Sequence, residues 1–421
     1  MNRARFGLLG EKLEHSFSPR IHALLGDYEY LLYEKESDEV GDFLLNGKYD
    51  GLNVTMPYKK TVIQFCNTLS EIAEKTGSVN TIVRMDNGKL FGDNTDYYGF
   101  SYMLEILAVN VSGKKVIILG NGGAAATVRA VLGGSGAGRI VMISRRGADN
   151  YNNISKHFDA QIIVNTTPIG MYPNNGKAPI DLVAFNNCEA VLDLVFNPVK
   201  TELILQAEEM KIENIGGLHM LVAQAVRASE LFKGKQAKEE RSTCPIMVSR
   251  LTEVIKQDVR NIALIGMPGC GKTSVGKELA RLTGHEFFDT DELVVRKANK
   301  DIQQIFAEDG EEVFRTIETA VLEELSKNSG AIIATGGGAV KENRNRRLLM
   351  QNSIIIFLDR ASSELPKEGR PLSMSQGIEA IYKQRLPAYL DWCDKKVEVC
   401  ADIEQTAKAV LASVECEGGR L

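Results

Sequence analysis

The stretch "LIGMPGCGKTS" at 264–274 sets glycines at 266, 269 and 271 ahead of a lysine and a threonine. It follows the strand-like "NIALI" and opens the helical "TSVGKELARLTG". Phosphate binding needs this arrangement. Glycines let backbone N–H groups turn inward on the phosphates, the lysine reaches the β and γ phosphates, and the hydroxyl holds Mg²⁺. The start of the helix adds a partial positive charge. Gly266, Gly269, Cys270, Gly271, Lys272, Thr273 and Ser274 are therefore expected to cradle ATP, with Thr273 at the metal. Cys270 reads as a small packing residue rather than a nucleophile.

A second glycine cluster lies in "KKVIILGNGGAAATVRAVL", again strand, turn and helix. Gly120, Gly122 and Gly123 occupy the turn, and Ala125 stands where a third Gly or Ala is wanted. This is a dinucleotide fingerprint, with contacts expected along Gly120, Asn121, Gly122, Gly123 and Ala124. The next strand, "RIVMIS", ends in Ser144, Arg145 and Arg146. An acid there would bind a ribose hydroxyl, whereas two arginines and a serine suit a 2′-phosphate. The expected cofactor is NADP(H) rather than NAD.

Further polar residues cluster around these two turns. After the first-mentioned loop, "FFDTDELV" sets Asp289 and Asp291 two apart at a strand end, on one side of the strand. "GEEVFRTIE" sets Arg315 and Glu318 one helical turn apart, and "IIATGGGAV" ends a strand in glycines 336–338. "GRPLS" and "QRLPAYL" supply Arg370 and Arg385. Ahead of the dinucleotide turn come Ser16 and Ser18, then Asn53, Thr55 and Lys59, then Asn80 and Asp96. Hydroxyls, amides and one Lys/Asp pair suit a small polyol acid. Singly, each segment reads as turn chemistry, a surface ion pair or a solvated arginine.

In combination and in order, the later segments resemble shikimate kinase across residues 259–421. That resemblance implies that Asp291, Arg315, Gly337, Gly338 and Arg385 hold shikimate. Both arginines suit its carboxylate. It makes Asp291 the base for the attacking hydroxyl, puts Asp289 near Mg²⁺ through water, and has Lys272 and a mobile-lid Arg370 neutralise the transferring phosphoryl group. The lid stretch "ASSELPKEGRPL" is shorter than is usual in that family. The earlier segments, with "VNTTPIGMYP" (164–173) and "LHMLVAQA" (218–225), resemble shikimate dehydrogenase from residue 5 to about 236. Here the resemblance implies that Ser16 and Ser18 bind the carboxylate, Thr55, Asn80 and Gln224 bind ring oxygens, and Asn165, Thr166 and Met171 line the nicotinamide side. Lys59 and Asp96 would form the catalytic pair. A ketone reduced by hydride leaves an alkoxide that needs a proton donor in bonding reach, and an ammonium beside a carboxylate can fill that role.

The elements that must position these residues divide the chain. "KKVIILG", "GRIVMIS" and "AQIIVNTT" read as buried parallel strands, as do "NIALIG", "AIIATGGG" and "SIIIFLD" later on. Strands alternating with helices imply α/β units. The expected fold is an N-terminal α/β substrate domain (about 1–100, with 216–236 returning) plus a Rossmann NADP-binding domain (about 101–215). A charged linker at 237–258 then leads to a P-loop, NMP-kinase-like α/β domain with a parallel sheet at 259–421. "MVSRLTEVIKQ" within the linker is a candidate amphipathic helix, and "GGSGAG" (133–138) a turn.

Composition sets the remaining bounds. At 421 residues the chain exceeds one ordinary core. A net charge of −5 argues against a nucleic-acid partner, and no apolar run approaches the roughly 20 residues that span a membrane. Seven scattered cysteines and five histidines give neither a disulfide framework nor a zinc pattern. With no signal-peptide pattern at the start, a cytoplasmic enzyme is expected. The sequence specifies no oligomeric state. The expected reactions are NADPH-dependent reduction of 3-dehydroshikimate and ATP-dependent phosphorylation of the resulting shikimate. A first half acting on quinate or another ring acid, and a first half that senses shikimate without turning it over, stay open. The second alternative draws on a departure from the family pattern, Gly216 for an acid and His219 for a glycine in "GGLHML"; Tyr97 and Tyr98 after Asp96, in place of a more usual small residue, are a second departure at the cofactor end. His219 reads as an added polar contact or, the favoured alternative, a tolerated surface residue.

Overall fold

The computed structural model describes residues 3–13, 16–234, 245–365 and 377–414. The chain forms two compact units, one comprising 1–171, 177–197 and 203–255, the other 172–176, 198–202 and 256–421. Arg370 lies outside the described residues, as does the stretch 235–244 within the charged join. The later part of that join is the helix Pro245–Val259.

The first unit holds two sheets. Strands β1 (Arg5–Gly10), β2 (Glu29–Glu34), β3 (Gly51–Val54), β4 (Thr68–Leu69), β5 (Thr81–Arg84) and β6 (Leu90–Asp93) form a mixed sheet in the order β2-β1-β3-β5-β6-β4. Strands β7 (Lys115–Leu119), β8 (Arg139–Ile143), β9 (Ile162–Asn165), β10 (Ala190–Asp193) and β11 (Glu213–Ile215) form a parallel sheet in the order β11-β10-β9-β7-β8. β7 and β9 are unbroken apolar runs because both faces are covered. Val116, Ile118, Ile162 and Val164 pack with Ala125, Val128 and Leu132 of the helix Gly123–Gly134, while Ile117, Leu119 and Ile163 pack with Leu203 and Ile204 of the helix Glu202–Glu209. Alternate residues along one strand thus serve two cores.

The second unit has one parallel sheet. Its strands β12 (Asn261–Ile265), β13 (Phe287–Asp289), β14 (Ile332–Ala334), β15 (Ser353–Asp359) and β16 (Lys395–Glu398) run in the order β13-β14-β12-β15-β16. The six apolar segments read as parallel strands all occur as such. One expectation needs correction. Asp289 ends β13, but Asp291 lies in the first turn of the helix Thr290–Ala298, so the two do not share a strand face. The Asp289 carboxylate accepts a hydrogen bond from the Asp291 backbone N–H at 3.0 Å and so caps that helix. Asp caps compete well with strand continuation because their side chain satisfies an orphan N–H.

Ile118 is fully buried at the centre of the second sheet. Truncating Ile118→Ala should destabilise the first unit by about 2–5 kcal/mol, from lost burial plus the cavity left behind. Urea unfolding followed by circular dichroism would measure it, with the second unit's transition unmoved.

Candidate active sites

The first site grows from the segment after α-helical Glu71–Thr76. Val79 N–H donates to the Lys59 carbonyl at 2.8 Å, and Asn80 Oδ1 accepts from Thr95 N–H at 2.7 Å and Thr95 Oγ1 at 3.1 Å. One dipeptide therefore fixes both the loop carrying Lys59 and the start of the helix Asp96–Ile106. Lys59 Nζ donates to Asp96 Oδ2 at 2.5 Å, with side-chain exposures of 20% and 9%. Asp96 sits in the first helical turn, where the helix dipole favours a carboxylate.

Around this pair runs a buried polar network. Tyr30 O–H donates to Asn53 Oδ1 at 2.8 Å, Asn53 Nδ2 donates to Thr81 Oγ1, Thr81 pairs with Thr95, and Thr95 Oγ1 reaches Gln224 Oε1 at 3.4 Å. Asn80 and Gln224 thus meet in one place although 144 residues separate them (224 minus 80). Asn80 spends its oxygen internally, which leaves its amide N–H₂ as the group for a ligand. Ser16 Oγ accepts from the Ser18 N–H at 3.3 Å, and Ser18 is buried at the start of the helix Ser18–Leu25. Thr55 is half-buried at the end of β3. Tyr30, Thr81 and Thr95 were not singled out in the sequence, because nothing local distinguishes a strand tyrosine or threonine facing a cleft from one facing a core. His22 stacks on Tyr30 with ring centroids 4.0 Å apart, and burial pushes its pKa down to about 3. It is neutral near pH 7.

The dinucleotide turn has the required shape. Gly120 has φ 114°, and a Cβ there would lie 2.5 Å from Thr166 Oγ1, so only glycine fits between β7 and β9. Asn121 and Gly122 border a cleft of about 620 Å³ that also takes in Lys60, Lys75 and Arg129. These three cations were missed because they come from separate segments. Gly123 and Ala124 begin the helix. Ser144 closes β8's loop, and Arg145 and Arg146 are exposed. The nearest acid, Asp149, is turned instead to buried His157, at 2.9 Å. Thr166 hydrogen-bonds the Leu119 carbonyl at 2.7 Å, and Met171 is half-buried. Asn165 is fully buried, its amide N–H₂ donating to Asp193 and its oxygen accepting from Thr167. His219 is half-buried in the first turn of the helix Leu218–Phe232 and engaged there, which favours the polar-contact alternative over a tolerated surface residue. Tyr98 lies under the buried Arg227 guanidinium at 4.8 Å.

The second site is a cavity of about 920 Å³. Gly269, Gly271, Lys272, Thr273 and Ser274 line one part; Asp291, Arg315, Glu318, Gly337, Gly338 and Arg385 line another. Gly266 and Gly271 take positive φ, and Cys270 is fully buried, consistent with a packing role. Lys272 Nζ donates to the Gly266 and Met267 carbonyls, both at 2.9 Å. Thr273 Oγ1 donates to Asp289 Oδ2 at 2.7 Å, which brings together two oxygens of the kind a hard divalent cation takes. Arg315 Nη1 donates to Glu318 Oε2 at 2.7 Å, as their helical spacing foretold. A Cβ on Gly338 would come within 2.3 Å of that guanidinium, so the third glycine is what lets the arginine lie flat against the loop. Arg385 and Tyr389 both donate to the Gly337 carbonyl, at 2.9 and 2.6 Å. Burial pushes the Glu318 carboxyl up to about 7, partly offset by Arg315. Glu318 and Tyr389 extend the expected set, and only Glu318 had a sequence signal, its spacing from Arg315.

Fold and site define two classes in one chain: a dinucleotide-linked oxidoreductase and a P-loop phosphotransferase. Residues 8–82 match the family model for the shikimate dehydrogenase substrate binding domain, and residues 268–415 match that for shikimate kinase. A shikimate dehydrogenase (NADP(+)) of Clostridium beijerinckii is 37% identical over 248 residues, covering 54% of this chain and 91% of that protein. The crystal structure of a chorismate mutase/shikimate 5-dehydrogenase fusion protein from Clostridium acetobutylicum superposes with a TM-score of 0.56 at 33% identity, covering 61% of this chain and 98% of that one. Shikimate 5-dehydrogenase from Thermus thermophilus, in complex with NADP(H) and shikimate, gives 0.53 at 25% identity, with 60% and 99% covered. The chain belongs to the shikimate dehydrogenase family and carries a shikimate kinase domain after it, making it a bifunctional enzyme. Among the described residues, no helix is long and apolar enough to cross a membrane.

The raised Glu318 carboxyl has a stability signature. Unfolded it titrates near 4.5 and folded near 7, so the folded state holds the extra proton across that window. Its contribution is present below the lower value and lost as pH rises through the upper one. In urea unfolding from pH 5 to 8, wild type should therefore lose stability relative to Glu318→Gln, whose amide cannot titrate. A constant difference would place the folded carboxyl at its ordinary value.

Proposed function

We propose that the first unit reduces 3-dehydroshikimate to shikimate with NADPH and that the second phosphorylates the 3-hydroxyl of shikimate with ATP and Mg²⁺. One observation carries the reading: the two halves match separate family models that name the same small acid. The product of one is then the substrate of the other. ATP-driven removal of the alcohol also pulls the first reaction toward reduction.

In the first unit, Ser16 and Ser18 hold the substrate carboxylate, and Thr55, Asn80 and Gln224 hold ring oxygens. NADPH, when bound, supplies the hydride to the carbonyl carbon. The oxygen becomes an alkoxide, and the Lys59 ammonium donates it a proton. Asp96, at 2.5 Å, keeps that ammonium aimed until transfer. Gly120 to Ala124 receive the pyrophosphate at the helix start, and Ser144, Arg145 and Arg146 receive the 2′-phosphate. Asn165, Thr166 and Met171 border the nicotinamide side, Asn165 by holding its loop rather than by direct contact, since its amide is occupied.

In the second unit, the P-loop residues Gly266 to Ser274 hold the ATP phosphates. Lys272 leaves its two carbonyl partners for the phosphates. Thr273 and Asp289 would hold Mg²⁺, which neutralises charge on the phosphates when bound. Arg315 and Arg385 bind the shikimate carboxylate, with Gly337 and Gly338 beside the ring. Asp291 accepts the proton of the attacking hydroxyl as the phosphoryl group leaves ADP. Arg370 would steady the transferring group.

Two outcomes are expected. Lys59→Ala should abolish NADPH oxidation while shikimate-dependent ATP consumption stays near normal, and Lys272→Ala should do the reverse. Loss of both activities from either change in a folded protein would refute separate sites. Arg145→Ala should raise the KM for NADPH by about tenfold or more, the size of a lost hydrogen bond to a charged group, and leave that for NADH nearly unchanged. Equal effects on both cofactors would make Arg145 structural.

A further inference from the structure

Arg315 is held on two sides. Inside the cavity, Nη1 donates to fully buried Glu318. On the other side, Nε and Nη2 donate to a single oxygen of Glu311, Oε1, at 3.3 and 3.1 Å. Glu311 does not line the cavity that Arg315, Glu318 and Arg385 share. Its side chain is 40% exposed, and the same Oε1 accepts from Lys341 Nζ at 2.8 Å. Lys341 follows the triple-glycine turn, so it belongs to the loop that carries Gly338.

We infer that Glu311, held in turn by Lys341, is a positioning residue for shikimate: it braces Arg315 from outside the cavity and sets which edge of the guanidinium meets the substrate carboxylate. This rests on the reading of Arg315 as a carboxylate-binding residue. A guanidinium has five N–H groups in a fixed plane. Glu311 occupies the Nε–Nη2 edge and Glu318 takes one N–H of Nη1. Two N–H groups remain, one on each terminal nitrogen, and these are what the guanidinium has left to offer a carboxylate. Without the brace, only the Glu318 bond and the glycine turn hold the plane, so the grip on a carboxylate loosens while the charge stays. Gly338 limits movement out of the plane, but a flat guanidinium can still swing within its own plane along the loop. Lys341 matters because a half-exposed glutamate facing one arginine has many rotamers; a second cation from the glycine loop selects one and ties the helix Gly310–Leu325 to that loop.

The effect belongs to ground-state and transition-state binding alike, so it predicts a split in the kinetics. In the full-length protein, Glu311→Ala should raise the KM for shikimate in the kinase assay by about two- to fivefold, the size of a half-exposed ion pair. The kcat and the KM for ATP should stay unchanged, and Glu311→Gln, whose amide oxygen still accepts from Nε, should recover part of the loss. Lys341→Met should raise the same KM, and should add nothing in the Glu311→Ala background, because it acts through Glu311. An unchanged or lowered shikimate KM in Glu311→Ala would overturn the inference, as would a fall in kcat or full additivity with Lys341→Met. Arg315→Ala separates the layers. If it leaves the shikimate KM unaltered, the carboxylate reading itself fails; if it raises that KM while Glu311→Ala does not, only the brace fails.

Discussion

A charged side chain shielded from water must be met by an opposite charge, and both sites are built around that constraint. An unpaired buried ion is costly enough that the fold has to deliver its partner. In the first unit the ammonium of Lys59 and the carboxylate of Asp96 meet at 2.5 Å, largely out of solvent. They come from a loop after β3 and from the first turn of a helix after β6. Bringing those two places together requires the β3-β5-β6 antiparallel run, with the Val79–Asn80 backbone and amide bonding both ends. The polar network from Tyr30 to Gln224 extends the same requirement. Its members bond one another across strands and helices, which holds the cleft walls in place without a ligand.

The second unit meets the constraint differently. Arg315, Glu318 and Glu311 lie on one helix, so spacing alone supplies the counter-charges. What the sheet adds is the glycine turn after β14, packed so closely that a single methyl at Gly338 would collide with the guanidinium. Arg385, from the helix Ile378–Trp392, then closes the site by bonding the same turn at the Gly337 carbonyl. Arg315, Arg385 and the glycine loop before Lys272 share one cavity because β12 and β14 are adjacent parallel strands whose C-terminal ends carry the two turns. That is the usual location for ligands in open α/β sheets.

Both glycine turns, the six parallel strands and the Arg315–Glu318 pair were legible in the sequence, because each is contiguous or follows a fixed helical or strand period. The Asp289–Asp291 pair was misread for an equally local reason. A strand and a capped helix start compete over the same few residues, and the cap decided in favour of the helix. The surface alternative was favoured for His219 because its helix's neighbours cannot be read from the chain, yet the residue is half-buried in the first turn of Leu218–Phe232. Tyr30, Thr81, Thr95 and Tyr389 carry no local mark at all. They became site residues through the strand or helix face on which they sit.

The sequence by itself determined the classes of chemistry: phosphate cradles need glycines, a lysine and a hydroxyl in fixed order, and that order survives any arrangement of the rest. It also determined which residues were candidates for the acid, the base and the carboxylate grip. Only the tertiary structure decided which candidates touch and which are spent. Lys59 and Asp96 are 37 residues apart and pair. Asn165, expected beside the cofactor, has its amide tied to Asp193 across two strands. Arg315 proved to have an outer carboxylate as well as an inner one. The physical reason is common to all three: a hydrogen bond has a direction and a length of about 3 Å, and only the packed fold sets both.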